Sequence, residues 1–219
     1  MIKAVIFDFD GLVLDTETPW YEAFKEVLRL QFEFDLPLEE FAKCVGSNDL
    51  GLYSYLEENI GDALNVDDFR ERTSKLHTQY LTEAGAREGV VEYLNDAKKA
   101  GLKIALATSS NRDWATTHLT NLQLLSYFDH LVTSDDVEKV KPAPDLFLKA
   151  LEVLEVESHE AIVFEDSLNG LIAAQEANIS TVIVTNPVTA SLPFENYHLK
   201  LTSMTDMSLQ EIIESLSGD

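Results

Sequence analysis

Short apolar runs recur along the chain at residues 4–7, 104–107, 131–132, 161–164 and 181–184, each followed by a polar loop and a helical pattern. A run without polar alternation reads as a strand covered on both faces. Strands separated by helices pair in parallel, because the crossover connection needs a dozen residues or more. The spacing therefore predicts an α/β fold, with a Rossmann-like parallel sheet core and helices on both sides. The helix boundaries agree. Residues 88–100 end at Gly101, suited to a left-handed cap, and 111–123 follow Ser110 or Asn111 as N-cap. Residues 144–155 open with Pro144, and 168–177 lie between Ser167 and Asn178.

The first gap breaks this rhythm, since roughly 70 residues without a convincing strand separate the first run from the helix at 88. Trp20, Phe24, Val27 and Leu28 fall on one helical face, and 38–45, 49–60 and 66–82 also read as helices. Residues 16–83 are therefore expected to form an inserted α-helical subdomain, with 1–15 plus 84–219 as the α/β core. The connections at 15–18 and 83–88 are the candidate hinges. A length of 219 residues suits one core domain with a substantial insertion.

The first run ends in "FDFDG", which places Asp8 and Asp10 at the end of a strand with no water on either side. Burying two anions costs several kcal/mol each unless something positive meets them. In an open parallel sheet, ligands bind where strands deliver their C-terminal ends. The polar residues closing the other runs are Thr108-Ser109-Ser110, Lys141-Pro142 and Glu165-Asp166. Four carboxylates suit a hard divalent cation, and Mg²⁺ takes one or two carboxylates plus waters and a phosphate oxygen. Thr108 and the backbone N–H groups after it suit a phosphate anion. Lys141 adds a point charge, aimed by a loop that Pro142 and Pro144 stiffen.

The formal charge of −23 is spread along the chain: residues 16–83 alone carry 6 basic against 15 acidic residues. Such a field repels nucleic acid and anionic membranes, so neither is expected as a partner. No apolar run reaches the length of a membrane span, and residue 1 leads straight into a strand without a signal-peptide pattern, so a cytoplasmic location is expected. Cys44 is the single cysteine and reads as core filler. His77, His118, His130, His159 and His198 show no metal spacing and are expected at the surface or at helix ends. Trp20 and Trp114 are expected to pack, and Asp15 to brace the first loop.

These residues and their order resemble the haloacid dehalogenase-like superfamily of phosphatases and phosphomutases. "DFDGLVLDTE" is similar to its first motif, "ALATSS" to the second, "VKPAPDLF" to the third and "VFEDSLNG" to the fourth, and the helical insertion resembles its small α-helical cap. The resemblance implies that Asp8 attacks phosphorus to give an aspartyl-phosphate, while Asp10 protonates the departing alkoxide and then activates water. Asp8, Asp166 and the backbone carbonyl of Asp10 would bind Mg²⁺, with Glu165 supporting that site. Thr108, the N–H of Ser109 and Lys141 would grip the phosphoryl oxygens. Hydrolysis of phosphate monoesters asks for accelerations up to ~10²¹, roughly 28 kcal/mol, which no single residue supplies.

The resemblance implies a hydrolase acting on a small phosphorylated metabolite, expected to be a sugar phosphate, and nothing demands more than a monomer. A mutase of the β-phosphoglucomutase type is the alternative. Such relatives tend to carry a histidine after "DT" and an arginine in the cap loop. Here Trp20 stands in the first place, and "VGSNDL" offers Ser47 and Asn48 in the second. A phospho-accepting signalling module is a further alternative, against which the length and the insertion speak. Trp20, Ser47, Asn48 and the basic positions Arg70, Arg72 and Lys75 are the candidate specificity residues.

Overall fold

The computed structural model describes residues 1–45, 50–81 and 84–216. The chain begins with β1 (Ala4–Phe7), all four residues of which are fully buried. Among the described residues it then enters four α-helices, α1 (Glu17–Phe32), α2 (Leu38–Ala42), α3 (Leu50–Ile60) and α4 (Val66–Leu81). The return leads through α5 (Val90–Lys99), β2 (Lys103–Ala107), α6 (Arg112–Asn121), β3 (His130–Val132) and α7 (Asp145–Leu154). It continues through β4 (Ala161–Glu165), α8 (Leu168–Glu176), β5 (Ser180–Val184), β6 (Leu199–Leu201) and α9 (Leu209–Leu216).

All strand pairs are parallel and the sheet order is β3-β2-β1-β4-β5-β6. The fold is therefore the expected Rossmann-like α/β arrangement. Strand order reverses between β1 and β4, which makes their C-terminal ends the place where a ligand crevice opens. Phe7 stands opposite Phe164, so the next residues, Asp8 and Glu165, leave the sheet side by side.

Alternation along the strands sorts the core. Val5, Phe7, Leu106 and Phe164 face α5, α6 and α9, whose contributions include Tyr93, Leu94, Leu119 and Ile212. On the other face Ala4, Ala105, Ala107 and Ala161 are small beside Ile6, and Phe147, Leu151 and Ala173 of α7 and α8 close over them. The caps follow the expected chemistry. Gly101 and Asn178 take φ of 71° and 56°. Asn111 accepts from the Trp114 N–H at 2.8 Å, and Ser167 accepts from Gly170 at 3.0 Å.

Two elements go beyond the expected set. β6 is three residues long at the sheet edge with Lys200 exposed in its centre, so it offers no apolar run to read. α9 follows it and seals the α5 face. Gly89 at φ 85° delays α5 to Val90, two residues after the expected start.

The four helices between β1 and α5 carry an apolar cluster of their own, built from Phe24, Val27, Leu28, Phe41, Leu56 and Phe69 and joined by Val188 from beyond β5. Their two connections run together, because Leu14 bridges Ala86 in antiparallel fashion and the Arg87 N–H donates to Val13 at 2.9 Å. Asp15 caps the outgoing turn by accepting from the Thr18 N–H at 3.0 Å. No helix among the described residues is long and apolar enough to cross a membrane.

Candidate active site

At the switch point Asp8 meets Glu165 and Asp166, and Lys141 from the loop between β3 and α7 reaches in beneath them. The lysine is 3% exposed; its Nζ donates to Asp8 Oδ1 and, at 2.6 Å, to Glu165 Oε1. Glu165 Oε2 accepts from the N–H groups of Asp166 and Ser167, at 3.0 and 3.1 Å, and from the Ser167 hydroxyl at 3.1 Å. Both oxygens of Glu165 are thus engaged in holding the loop. Gly170 makes room for them, since a Cβ there would overlap the Glu165 carboxylate.

Asp166 is held differently. Its Oδ2 accepts from Asn186 Nδ2 at 2.7 Å, while its Oδ1 is buried without a partner. The Asn186 amide is itself oriented, because its Oδ1 accepts from the N–H groups of Val188 and Thr189 at 2.9 and 3.0 Å. Asn186 and Arg87 both donate to the Gly11 carbonyl, at 3.2 and 2.6 Å. Gly11 sits at φ 83°, and a Cβ there would strike Asp166 and Asn186.

Three carboxylates therefore cluster, with oxygens of Asp8, Glu165 and Asp166 within 4.8 Å of one another, and the lysine meets two of them, Asp8 and Glu165. Burial, reinforced by Glu165 and only partly offset by Lys141, pushes the Asp8 carboxyl up to about 8. Burial and then Glu165 and Asp8 hold Asp166 well above the usual carboxylate range. Burial alone would lower the Lys141 ammonium, but Asp8 and Glu165 outweigh it and raise it above its ordinary value. Hard oxygen donors, uncompensated negative charge and the orphaned Asp166 Oδ1 fit a divalent cation. With Glu165 already satisfied, Asp8 and Asp166 are the side chains left to hold one.

Above the cluster a cleft of about 480 Å³ is lined by Asp8, Asp10, Thr108, Ser109, Lys141 and Asp166 from the core. Glu17 and Trp20 of α1 and Trp114 of α6 close its upper wall. Asp10 Oδ2 accepts from the Ser110 hydroxyl at 2.6 Å, and Oδ1 accepts from Trp114 Nε1 at 2.9 Å. Thr108 Oγ1 accepts from the Ser110 N–H at 3.0 Å, and the Ser109 hydroxyl is buried without a partner. Burial, then Asp10, Asp15 and Asp8, push the Glu17 carboxyl up to about 8.

Asp8, Asp10, Thr108, Ser109, Lys141, Glu165, Asp166 and Trp20 are thus brought together as the sequence predicts. Lys75 is not: it is exposed on α4 and borders a separate depression with Val27 and Leu76. Arg70 lies over the Tyr53 ring at 4.4 Å, and Arg72 bonds Asp68 at 2.8 Å. Ser47 and Asn48 lie outside the described residues. His77, expected at the surface or at a helix end, is instead 2% exposed within α4 and stacks on Trp20 with ring centroids 3.8 Å apart. Trp114 does more than pack, through its bond to Asp10. Asn186 closes the fifth apolar run, so the strand-end rule extended to that run finds it. Arg87 and Trp114 meet their partners 76 and 104 residues away and carry no local signal.

Comparison with known proteins agrees with this geometry. The family profile described as haloacid dehalogenase-like hydrolase matches residues 5–184. A Bacillus subtilis (strain 168) protein named "Putative phosphatase YhcW" is 44% identical over 219 residues, covering 100% of this chain and 99% of that protein. A Thermotoga maritima protein named "Phosphorylated carbohydrates phosphatase" is 33% identical over 184 residues, 83% of this chain and 84% of that one. The crystal structure of CbbY from Rhodobacter sphaeroides in complex with phosphate is similar with a TM-score of 0.72 at 26% identity, covering 95% of this chain and 97% of that chain. A parallel sheet that gathers four separate acidic, hydroxyl and lysine motifs at its switch point, matched over this span, places the chain in the haloacid dehalogenase-like hydrolase family, as a phosphoric monoester hydrolase.

Proposed function

We propose that the protein is a Mg²⁺-dependent phosphatase that hydrolyses a small sugar phosphate through an aspartyl-phosphate on Asp8. The observation that carries this reading is the buried cluster of Asp8, Asp166, Glu165 and Lys141 with Asp166 Oδ1 left unpartnered at the floor of the cleft. Asp8, Asp166 and the Asp10 backbone carbonyl would hold the ion. When bound, it supplies the positive charge that lets an anionic carboxylate approach an anionic phosphoryl group.

The rest is done by the chain itself. Lys141 keeps Asp8 in place, and Thr108, the Ser109 N–H and Lys141 receive the phosphoryl oxygens as charge develops on them. Asp8 attacks phosphorus, the bond to the leaving oxygen breaks, and Asp10 gives that oxygen its proton. Asp10 then takes a proton from water as the water attacks the aspartyl-phosphate, releasing inorganic phosphate and regenerating Asp8. Asn186 and Glu165 hold the pieces still.

Charge favours hydrolysis over the mutase alternative. A mutase working through a phosphoenzyme must give the phosphoryl group to a substrate that already carries one, so its cycle passes through a bisphosphate. Among the residues lining the cleft Lys141 is the sole lysine or arginine, and it is occupied by Asp8 and Glu165. Residues 46–49, 82–83 and 217–219 contain neither lysine nor arginine. A second phosphate would instead face Glu17 and Asp10, so we place monophosphates of hydroxylated, uncharged leaving groups first. The same reading makes the protein a cytoplasmic monomer.

Phosphate release from a panel of sugar monophosphates, the matching bisphosphates, glycerol phosphates and nucleotides tests this. Turnover that requires Mg²⁺, prefers monophosphates and falls about 10³-fold or more in Asp8→Asn is expected. Preference for bisphosphates, or isomerisation without phosphate release, overturns the hydrolase reading.

A further inference from the structure

Trp20 of α1, His77 of α4 and Trp114 of α6 form a column of rings that crosses from the cap helices to the core. The His77 ring lies 3.8 Å from Trp20 at 10° between planes, and 6.1 Å from Trp114 at 18°. His118 packs against Trp114 with ring centroids 4.2 Å apart at 57° between planes. The column ends in a hydrogen bond, the 2.9 Å contact from Trp114 Nε1 to Asp10 Oδ1. Trp114 borders the active cleft and, behind it, a second cavity of about 390 Å³ that also touches Leu81, Ala84 and Leu122. The indole packs against the core along one side and is a partition between two spaces along the rest, where its neighbours in the column and its bond to Asp10 hold it.

From this geometry we infer that Trp114 is a positioning residue for Asp10, and that His77 of the cap holds the indole where it can serve. The inference rests on the phosphatase reading, in which Asp10 moves the proton. A carboxylate at the end of a short side chain has a free torsion about its Cα–Cβ bond and would otherwise sample several rotamers. Donors on both oxygens select one: Ser110 and, at 3.5 Å, Thr108 hold Oδ2, and Trp114 is the side-chain donor to Oδ1. The Ser110 hydroxyl belongs to the core and is present whatever the cap does. The indole is stacked on a cap residue, so displacing α4 removes one face of its support. Cap docking and the aim of the proton donor are therefore one event. His77 enters this stack as a neutral ring: burial, reinforced by His118 and partly opposed by a hydrogen bond with the Thr16 backbone, lowers it to about 4.

Leaving-group chemistry separates positioning of Asp10 from general damage. An alkyl phosphate departs as a strongly basic alkoxide that needs the proton, whereas p-nitrophenolate departs without one. The test compares kcat/KM for a sugar monophosphate substrate and for p-nitrophenyl phosphate, since that ratio reports steps up to loss of the leaving group. Trp114→Phe keeps a ring in the column and removes the donor; His77→Ala keeps the donor and removes its support. Trp114→Phe is expected to lose about 10- to 100-fold on the sugar phosphate and much less on the aryl ester. His77→Ala is expected to shift the ratio the same way by a smaller factor. Equal losses on both esters, or no loss on either, in folded variants overturns the inference. A wild-type protein inert on both esters overturns the phosphatase reading itself, which is a different result.

Discussion

Lys141 offers one positive charge to Asp8 and Glu165, and Asp166 beside them feels only the field of Arg87, which does not outweigh burial and the neighbouring acids. Without a cation the cluster compensates by keeping protons: Asp8 is pushed up to about 8 by burial first, and Asp166 is raised for the same reason. An acid whose folded value is raised stabilises fully below its unfolded value near 3.8, and that contribution is lost as pH climbs through about 8. The metal-free protein is therefore expected to melt at progressively lower temperature as pH rises from about 6 past 8. Mg²⁺ at about a hundred times its Kd should return roughly 2.7 kcal/mol by mass action. Thermal melts in chelator and in Mg²⁺ across that range check it; a metal-free melting temperature that rises with pH contradicts it. These acids were legible together, because each alone could cap loop amides or sit at a helix N-terminus, while their joint placement at the ends of apolar runs could not be so explained. Asn186, Arg87 and Trp114 were not, since an amide, a guanidinium and an indole become site residues only through the partners that folding gives them.

At the scale of elements, α8 owes its position to a missing methyl. Gly170 stands in its first turn, where the Glu165 carboxylate occupies the space a Cβ would take. Gly170→Ala should favour the helix locally by about 1 kcal/mol and lose more than that by crowding. A net destabilisation of roughly 1–3 kcal/mol with reduced turnover is expected, from melts and kinetics on the same preparation. An unchanged melting temperature would mean that Glu165 moves aside freely. Strands and helices with caps were readable, because Gly101, Asn111, Ser167 and Asn178 each supply a local geometric need. β6 was hidden for the opposite reason: a three-residue edge strand with a charged centre is specified by the neighbour it joins. Lys75 shows the same limit on the cap, where helical periodicity places a helix but gives no account of which side overlooks the cleft.

For the whole molecule, the net charge of −23 acts on every phosphorylated ligand before any contact is made. A dianionic ester approaching such a surface is slowed, and salt screens the repulsion over a Debye length of about 10 Å at 0.1 M. Raising NaCl from about 0.02 to 0.2 M is expected to increase kcat/KM a few-fold while leaving kcat nearly constant. A fall in kcat/KM would point to a local attraction strong enough to dominate the global field. The Leu14–Ala86 bridge places the exit and the re-entry of the helical insertion next to each other, so the sheet is never asked to stretch around what hangs there. That doorway is indifferent to the size of its guest. Helices of another number or length would fit the same seam without disturbing the strand ends that carry the acids.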